Sequence, residues 1–214
     1  MSTYSFLDVF ATPSVRAAQA AQGVGDQWAN FKGHREFTRF TPDDAAFIAA
    51  RDSFYMATVA ENGWPYVQHR GGPPGFVKVI DERTLAFPDF RGNRQYISVG
   101  NVGANDRVAM IFVDYPNRAR MKILGHAEIV DLASDPELAA KLDLHGYKAK
   151  VERAFRVRLE AFDWNCPQHI TPRFTEAEVA SALEPIRQRL ANLEKENLEL
   201  RKRIESAGIP LTSR

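Results

Sequence analysis

From position 53 onward the hydrophobic pattern takes a period of two. Residues 54–60 alternate around β-branched and aromatic side chains, and residues 64–70 return as a partner run. Such alternation puts every second side chain on one face of a strand. Between the runs stands Glu61-Asn62-Gly63, whose Asn-Gly pair predicts a type I′ hairpin turn. Residues 75–80 and 84–88 flank Asp81-Glu82-Arg83 as a second hairpin, 108–114 and 120–130 form a longer one around Tyr115-Pro116-Asn117, and 154–164 read as a further strand. Most connections are short, which requires antiparallel pairing, because a parallel crossover takes about a dozen residues or more. The predicted core is an antiparallel barrel or sandwich of at least six strands with small helices at its ends.

The helical signals are of a different kind. Thr41-Pro42-Asp43-Asp44 offers a capping hydroxyl, a proline where no amide is missed, and acids facing the positive end of the dipole, so a helix should run to about residue 52. Another opens at Ser134-Asp135-Pro136-Glu137, and residues 93–102 suit a short helix. The first forty residues hold a helical stretch over 17–22 and the glycines Gly23, Gly25 and Gly33, without alternation. They read as an extension, 1–40, that packs over a neighbouring surface.

At the C-terminal end, Thr175-Glu176-Ala177-Glu178 is a capping box. Beyond it Leu183, Ile186, Leu190, Leu193, Asn197, Leu200 and Ile204 recur at alternating spacings of three and four. Written as a heptad, Leu183, Leu190, Asn197 and Ile204 occupy a, and Ile186, Leu193 and Leu200 occupy d. A lone Asn at a favours a parallel two-stranded coil, and Arg189 and Glu196 at g face Glu194 and Arg201 at e of a second copy. The alternative is an amphipathic helix lying on its own barrel; Pro185 near the start and the modest length suit that reading. Gly208 and Pro210 end the helix. The division is thus 1–40, a barrel domain over 41–172, and a helix over 173–214.

Composition narrows the function. The 214 residues carry 28 Lys or Arg against 27 Asp or Glu, a net charge of +1, which argues against a polycationic nucleic-acid binder. No apolar run reaches the ~20 residues of a membrane span. The single cysteine, Cys166, cannot form an internal disulfide, and the five scattered histidines lack the spacing of a helical zinc site. A cytoplasmic protein with no metal, no membrane and no nucleic-acid partner is expected.

The densest chemistry is His69-Arg70-Gly71-Gly72-Pro73-Pro74-Gly75-Phe76, followed by Leu85-Ala86-Phe87-Pro88-Asp89-Phe90-Arg91-Gly92-Asn93-Arg94. Each places glycine, which lets a ligand approach the backbone, beside arginine, whose planar fork suits phosphate. A helix opening at Asn93 would add free amides for an anion. Solvated arginines on two ordinary loops are the plain alternative.

With Phe54-Tyr55-Met56-Ala57-Thr58-Val59, Gly63-Trp64-Pro65, Pro116-Asn117-Arg118-Ala119-Arg120 and Asn165-Cys166-Pro167, these motifs, in this order, resemble the pyridoxamine 5′-phosphate oxidase-like, FMN-binding split-barrel family over about 41–170. The resemblance implies a mainly β fold: a six-stranded antiparallel Greek-key split barrel with short helices and a long C-terminal helix, binding FMN without a covalent bond at a homodimer interface. It places Gln68, His69, Arg70 and Gly71 on the strand beneath the flavin, with Arg70 on the phosphate. Phe87, Pro88 and Asp89 would lie beside the isoalloxazine edge, and Arg91, Asn93 and Arg94 in the turn that closes on the phosphate. Arg120 would reach the flavin from the partner subunit, and Trp164, Asn165 and Gln168 would form a lid. The chain lacks the family enzyme's terminal substrate-binding strand and continues into Trp164-Asn165-Cys166-Pro167-Gln168-His169 and the charged helix. Vitamin B6 oxidation is therefore not carried over. The expectation is an FMN oxidoreductase of open substrate, exchanging electrons with a small-molecule donor and acceptor. A non-catalytic flavin sensor, or a split barrel holding haem or a deazaflavin, are the rivals.

Overall fold

The computed structural model describes residues 6–29, 38–164 and 167–208. Gly33, Asn165, Cys166 and Pro210, all invoked above, lie outside them. The chain divides into two compact units, Met1–Ile170 and Thr171–Arg214.

In the first unit the alternating runs become strands: β1 (Ser53–Val59), β2 (Pro65–Gly71), β3 (Lys78–Asp81), β4 (Thr84–Phe90), β5 (Arg107–Asp114), β6 (Ala119–Val130) and β7 (Val151–Trp164). They pair antiparallel in one sheet of order β2-β1-β5-β6-β7-β4-β3. The run β4-β7-β6-β5 is the Greek key, with β7 returning beside β4. Among the described residues there are seven strands rather than six. The shortest, β3, has four residues and pairs only with β4.

Three strands separate β1 from β4 in this order. Their side chains nevertheless meet: the Phe54 and Phe87 rings lie edge-on at 4.9 Å. Phe54 also stacks on Phe112 at 4.8 Å, and Phe87 on Phe155 at 5.1 Å. The sheet is therefore curled around one aromatic core, which Met56, Leu85, Met121, Ile123, Leu159 and Phe162 complete. Its two ends come together through side chains. Arg70 of β2 pairs with Asp89 of β4, while no backbone ladder joins those strands among the described residues. The barrel is split along that line.

Helices cover the ends and part of the outward face. α1 (Phe6–Val9), α2 (Pro13–Ala21) and α3 (Gly25–Ala29) lie in the N-terminal extension. Phe6 is buried, with the Lys122 ammonium 4.5 Å from its ring, so the extension reaches the outward side of β6. α4 (Pro42–Ala49) has the predicted start: Thr41 Oγ1 accepts from the Asp44 amide at 3.2 Å, and the Thr41 amide donates to Asp44 Oδ2 at 2.9 Å. The other Asp44 oxygen accepts from Trp164 Nε1 at 3.1 Å, tying this helix to the end of β7. α5 (Ile97–Ala104) follows β4, and α6 (Pro136–Lys141) is capped by Asp135. In the second unit α7 (Glu176–Ser206) carries the Thr175–Glu178 capping box and ends before Gly208, whose φ is +69°.

Two local expectations are corrected. The β1–β2 turn is not type I′, because φ is positive at Gly63 (+85°) but not at Asn62. The Gly63 amide donates to the Ala60 carbonyl at 2.8 Å, giving a type I turn followed by a left-handed glycine. The Asn62 side chain accepts from the Trp64 amide at 3.2 Å, which occupies it locally. The helix expected from Asn93 begins at Ile97 instead.

Gly125 marks the register shift between β6 and β7. A Cβ there would stand 2.6 Å from Val157 Cγ1 and 2.7 Å from the Arg158 carbonyl oxygen. Gly125→Ala should lower stability by about 2 kcal/mol, since the obstacle is backbone. Urea unfolding checks this; an unchanged midpoint would show that the bulge yields freely.

Candidate functional site

The alternation of β2 decides which of its side chains meet. Arg70 stands opposite Phe54, Gln68 opposite Met56, and Tyr66 opposite Thr58. Those three β1 partners are buried, so Tyr66, Gln68 and Arg70 share the inward face. They line a cleft of about 200 Å³ with Asp89, Asn93, Arg94, Tyr96 and Ser98 from β4 and the segment after it. His69, one position out of phase, lies on the outward face, its ring 5.4 Å from that of Tyr55.

Arg70 and Asp89 close the cleft floor. The guanidinium donates to Asp89 Oδ1 and lies 4.9 Å over the Phe155 ring, while its Nε is buried without a hydrogen-bond partner among the described residues. Asp89, itself buried, has Arg153 Nε 3.6 Å from its second oxygen. One carboxylate thus serves two arginines.

The rim is the 91–98 segment. Arg94 (φ 62°) and Tyr96 (φ 53°) both adopt the left-handed conformation, which costs a non-glycine residue about 1–2 kcal/mol. Asn93 Oδ1 accepts from the Gln95 amide at 3.1 Å and stabilises the turn. Tyr96 is the N-cap of α5 and provides no side-chain cap, so the first turn of that helix offers amides to the cleft mouth. Ser98 Oγ donates to Gln68 Oε1 at 3.1 Å, leaving the two amide protons of Gln68 to donate elsewhere.

Glu152 braces this rim from β7. It accepts from Arg91 Nε at 2.7 Å, from the Tyr96 hydroxyl at 3.0 Å and from Arg153 at 3.2 Å. The Arg91 hydrogen bond, foremost, holds its carboxyl below the ordinary glutamate value against partial desolvation; Tyr96 and the Arg153 charge add to the effect. Arg94 has no ion-pair partner among the described residues. Four guanidinium groups (Arg70, Arg91, Arg94, Arg153) against two carboxylates (Asp89, Glu152) leave two positive charges around the cleft.

Of the residues singled out in the sequence, Gln68, Arg70, Asp89, Asn93 and Arg94 line the cleft, and Arg91 stands beside it on Glu152. Phe87 is packed in the core between Phe54 and Phe155. Pro88 faces the other side of β4, and Gly71 shares the outward parity of His69. Arg120 lies on β6 opposite Val113, away from the cleft. Trp164 packs edge-on against Phe47 at 4.5 Å, and Gln168 is exposed in the turn after β7. Asn165 is outside the described residues. The sequence reading missed Tyr66, Tyr96, Ser98, Glu152 and Arg153. Tyr66 could have been found by extending the period of two from Gln68; Arg153 reaches Asp89 only through the β4–β7 register.

A family model for pyridoxamine 5′-phosphate oxidase matches residues 40–162, more than half of the chain. No curated protein matches it. Among solved structures it is similar to an FMN-binding protein from Syntrophomonas wolfei (14% identity, covering 69% of this chain and 97% of that one, TM-score 0.44). It is also similar to HupZ of Group A Streptococcus (16%, 63% and 100%, 0.43). A third is a Clostridium acetobutylicum protein related to general stress protein 26 (18%, 62% and 92%, 0.41).

Two outcomes test the rim. Because only glycine enters the left-handed region without cost, Arg94→Gly should be more stable than Arg94→Ala by about 1 kcal/mol in urea unfolding; equal stabilities would remove the strain. Glu152 has a folded pKa below its unfolded one, so its contribution is complete above the ordinary glutamate range and is lost as pH falls through the lowered value. Glu152→Gln should therefore flatten the acid side of the stability–pH curve. A slope unchanged by the substitution would contradict the ionised brace.

Proposed function

The chain belongs to the pyridoxamine 5′-phosphate oxidase family, and from that premise we propose that it is an FMN-dependent oxidoreductase working as a homodimer. The observation that carries this reading is the excess of two positive charges around a cleft whose rim also offers uncapped helix amides. A phosphate monoester brings about −1.5 to −2 charges near neutral pH, so its charge matches the surplus. The buried Nε of Arg70, which has no hydrogen-bond partner among the described residues, adds a donor on this side of the cleft.

FMN, when bound, supplies the hydride and electron transfer, and the chain's work is binding and orientation. Arg94, held over the cleft by its left-handed backbone, meets the phosphate together with Arg70. Asp89 fixes the Arg70 guanidinium so that little rotamer freedom is lost on binding. Ser98 holds the Gln68 carboxamide with its amide protons free for a ring carbonyl. Glu152 keeps Arg91 and Tyr96 in place at the rim. The donor and acceptor remain small molecules of open identity.

The homodimer rests on the opposite face. Tyr55, Val59 and Val67 are exposed there, beside a mainly apolar groove of about 580 Å³ that includes Ala57, Ala109 and Leu124. Apolar surface of this extent on one face suits a protein partner. Arg120, on that same face, has a buried Nε with no hydrogen-bond partner among the described residues. We assign it to the flavin of the second subunit.

Titration of apoprotein with FMN, followed by flavin fluorescence, tests the site. Arg70→Ala/Arg94→Ala removes charge-assisted bonds of about 1.5–3 kcal/mol each, so the Kd should rise at least about a hundredfold. Riboflavin, lacking the phosphate, should bind weakly and be indifferent to the double substitution. A folded double variant that keeps its FMN affinity would place the phosphate elsewhere.

A further inference from the structure

α7 carries an exposed apolar stripe. Leu183, Ile186, Leu190, Leu193 and Leu200 are all exposed on this helix of 31 residues, none of which is buried. Val179 and Ile204 extend the a/d series at either end. From Leu183 onward the a/d seam is bordered by charge on both sides: Arg187, Glu194 and Arg201 at e, and Arg189, Glu196 and Arg203 at g; the one large apolar side chain off the seam, Leu198 at b, lies beyond the e row. A helix that packs on a globular core uses a wider apolar face, adding e or g to a and d. Here e and g would be stripped of water by such packing.

We propose that α7 forms a parallel, in-register, two-stranded coiled coil with a second copy of this chain. Charge complementarity selects the occupant. In a parallel self-pair g meets e of the following heptad, so Arg189 faces the partner's Glu194 and Glu196 faces the partner's Arg201, each occurring twice by symmetry. An antiparallel pair brings e against e, and a register centred on Glu194 then opposes two glutamates and sets Arg187 against Arg201. Asn197 makes the same choice. In parallel register it meets its own copy and the two amides satisfy each other; in an antiparallel coil position a packs against d, and the amide would be buried against leucine. In the single chain Asn197 Oδ1 accepts from Arg201 Nε at 2.7 Å, a contact that frees Arg201 for Glu196 of the partner subunit once the amides pair. Pro185 sits at position c, facing out of the seam, and the helix runs through it.

Only three heptads follow Pro185 in α7, so the coil is weak alone and gains from any second contact between the same two chains through effective concentration. It is independent of what the barrel binds.

The test uses the full chain with Cys166→Ser and one new thiol. Ile204→Cys places thiols face to face at an a layer, whereas Lys195→Cys places them at f, pointing away. Mild oxidation should cross-link the first at least about a hundredfold faster than the second, the gain expected from tethered encounter. Equal rates would overturn the coil, whether because the helices lie apart or because they run antiparallel. Pairing chemistry is read from Arg189→Glu/Arg201→Glu and Glu194→Arg/Glu196→Arg in the Ile204→Cys background. Each variant should cross-link slowly alone and rapidly when the two are co-expressed; unchanged rates in the separate variants would remove the assigned g–e pairs. Neither readout depends on FMN, so failure here leaves the flavin site standing, and failure of the flavin titration leaves the coil standing.

Discussion

The contact between Arg70 and Asp89 is the constraint on which the rest depends. Their strands lie at opposite ends of the sheet's order apart from β3, with no ladder between them among the described residues, and the curled sheet brings them together. Both side chains are nearly buried, which makes the pair expensive to desolvate and more expensive to break, at about 3–5 kcal/mol when one partner is removed. Asp89 offsets part of that cost by also facing Arg153. The split in the barrel is thereby closed by charge rather than by backbone hydrogen bonds among the described residues, and a polar cleft stays open beside a buried aromatic core.

That arrangement lets one strand serve two purposes. β2 sends Tyr66, Gln68 and Arg70 into the cleft and Val67 and His69 to the outward face. A slip of one residue in its pairing would exchange the two sets, so the site and the face proposed for the second subunit are specified by the same register. The neighbouring rim is held in a costly conformation at Arg94 and Tyr96, and Glu152 supplies the hydrogen bonds that sustain it. Strain concentrated in this one segment persists because the surrounding sheet is well paired.

The two units of the chain present different kinds of surface for the association proposed above. The barrel presents a broad face with grooves, which shape must match. α7 presents a narrow seam whose partner is encoded by the sign and order of its charges. In the proposed assembly shape complementarity would give the first its affinity, and unfavourable alternatives would give the second its register.

Local physics was legible in the sequence. The period of two located β1, β2, β5, β6 and most of β7; the hydroxyl and acid caps located the starts of α4, α6 and α7; and clustered glycine and arginine pointed to Arg70, Asn93 and Arg94. Each of these signals is carried by residues within a few positions of one another. The turn at Asn62-Gly63 was misread because a side-chain hydrogen bond to Trp64 competes with the backbone preference of the dipeptide. The start of α5 moved to Ile97 because Arg94 and Tyr96 take left-handed angles that no propensity favours. Glu152 and Arg153 escaped notice because β7 begins with charged residues that answer to β4 and the rim rather than to an apolar alternation. Which arginines share a carboxylate, and that a sheet's two ends meet at all, are relations between residues far apart in the chain. Only the tertiary structure decides them, because curvature and strand order, not spacing, set those distances.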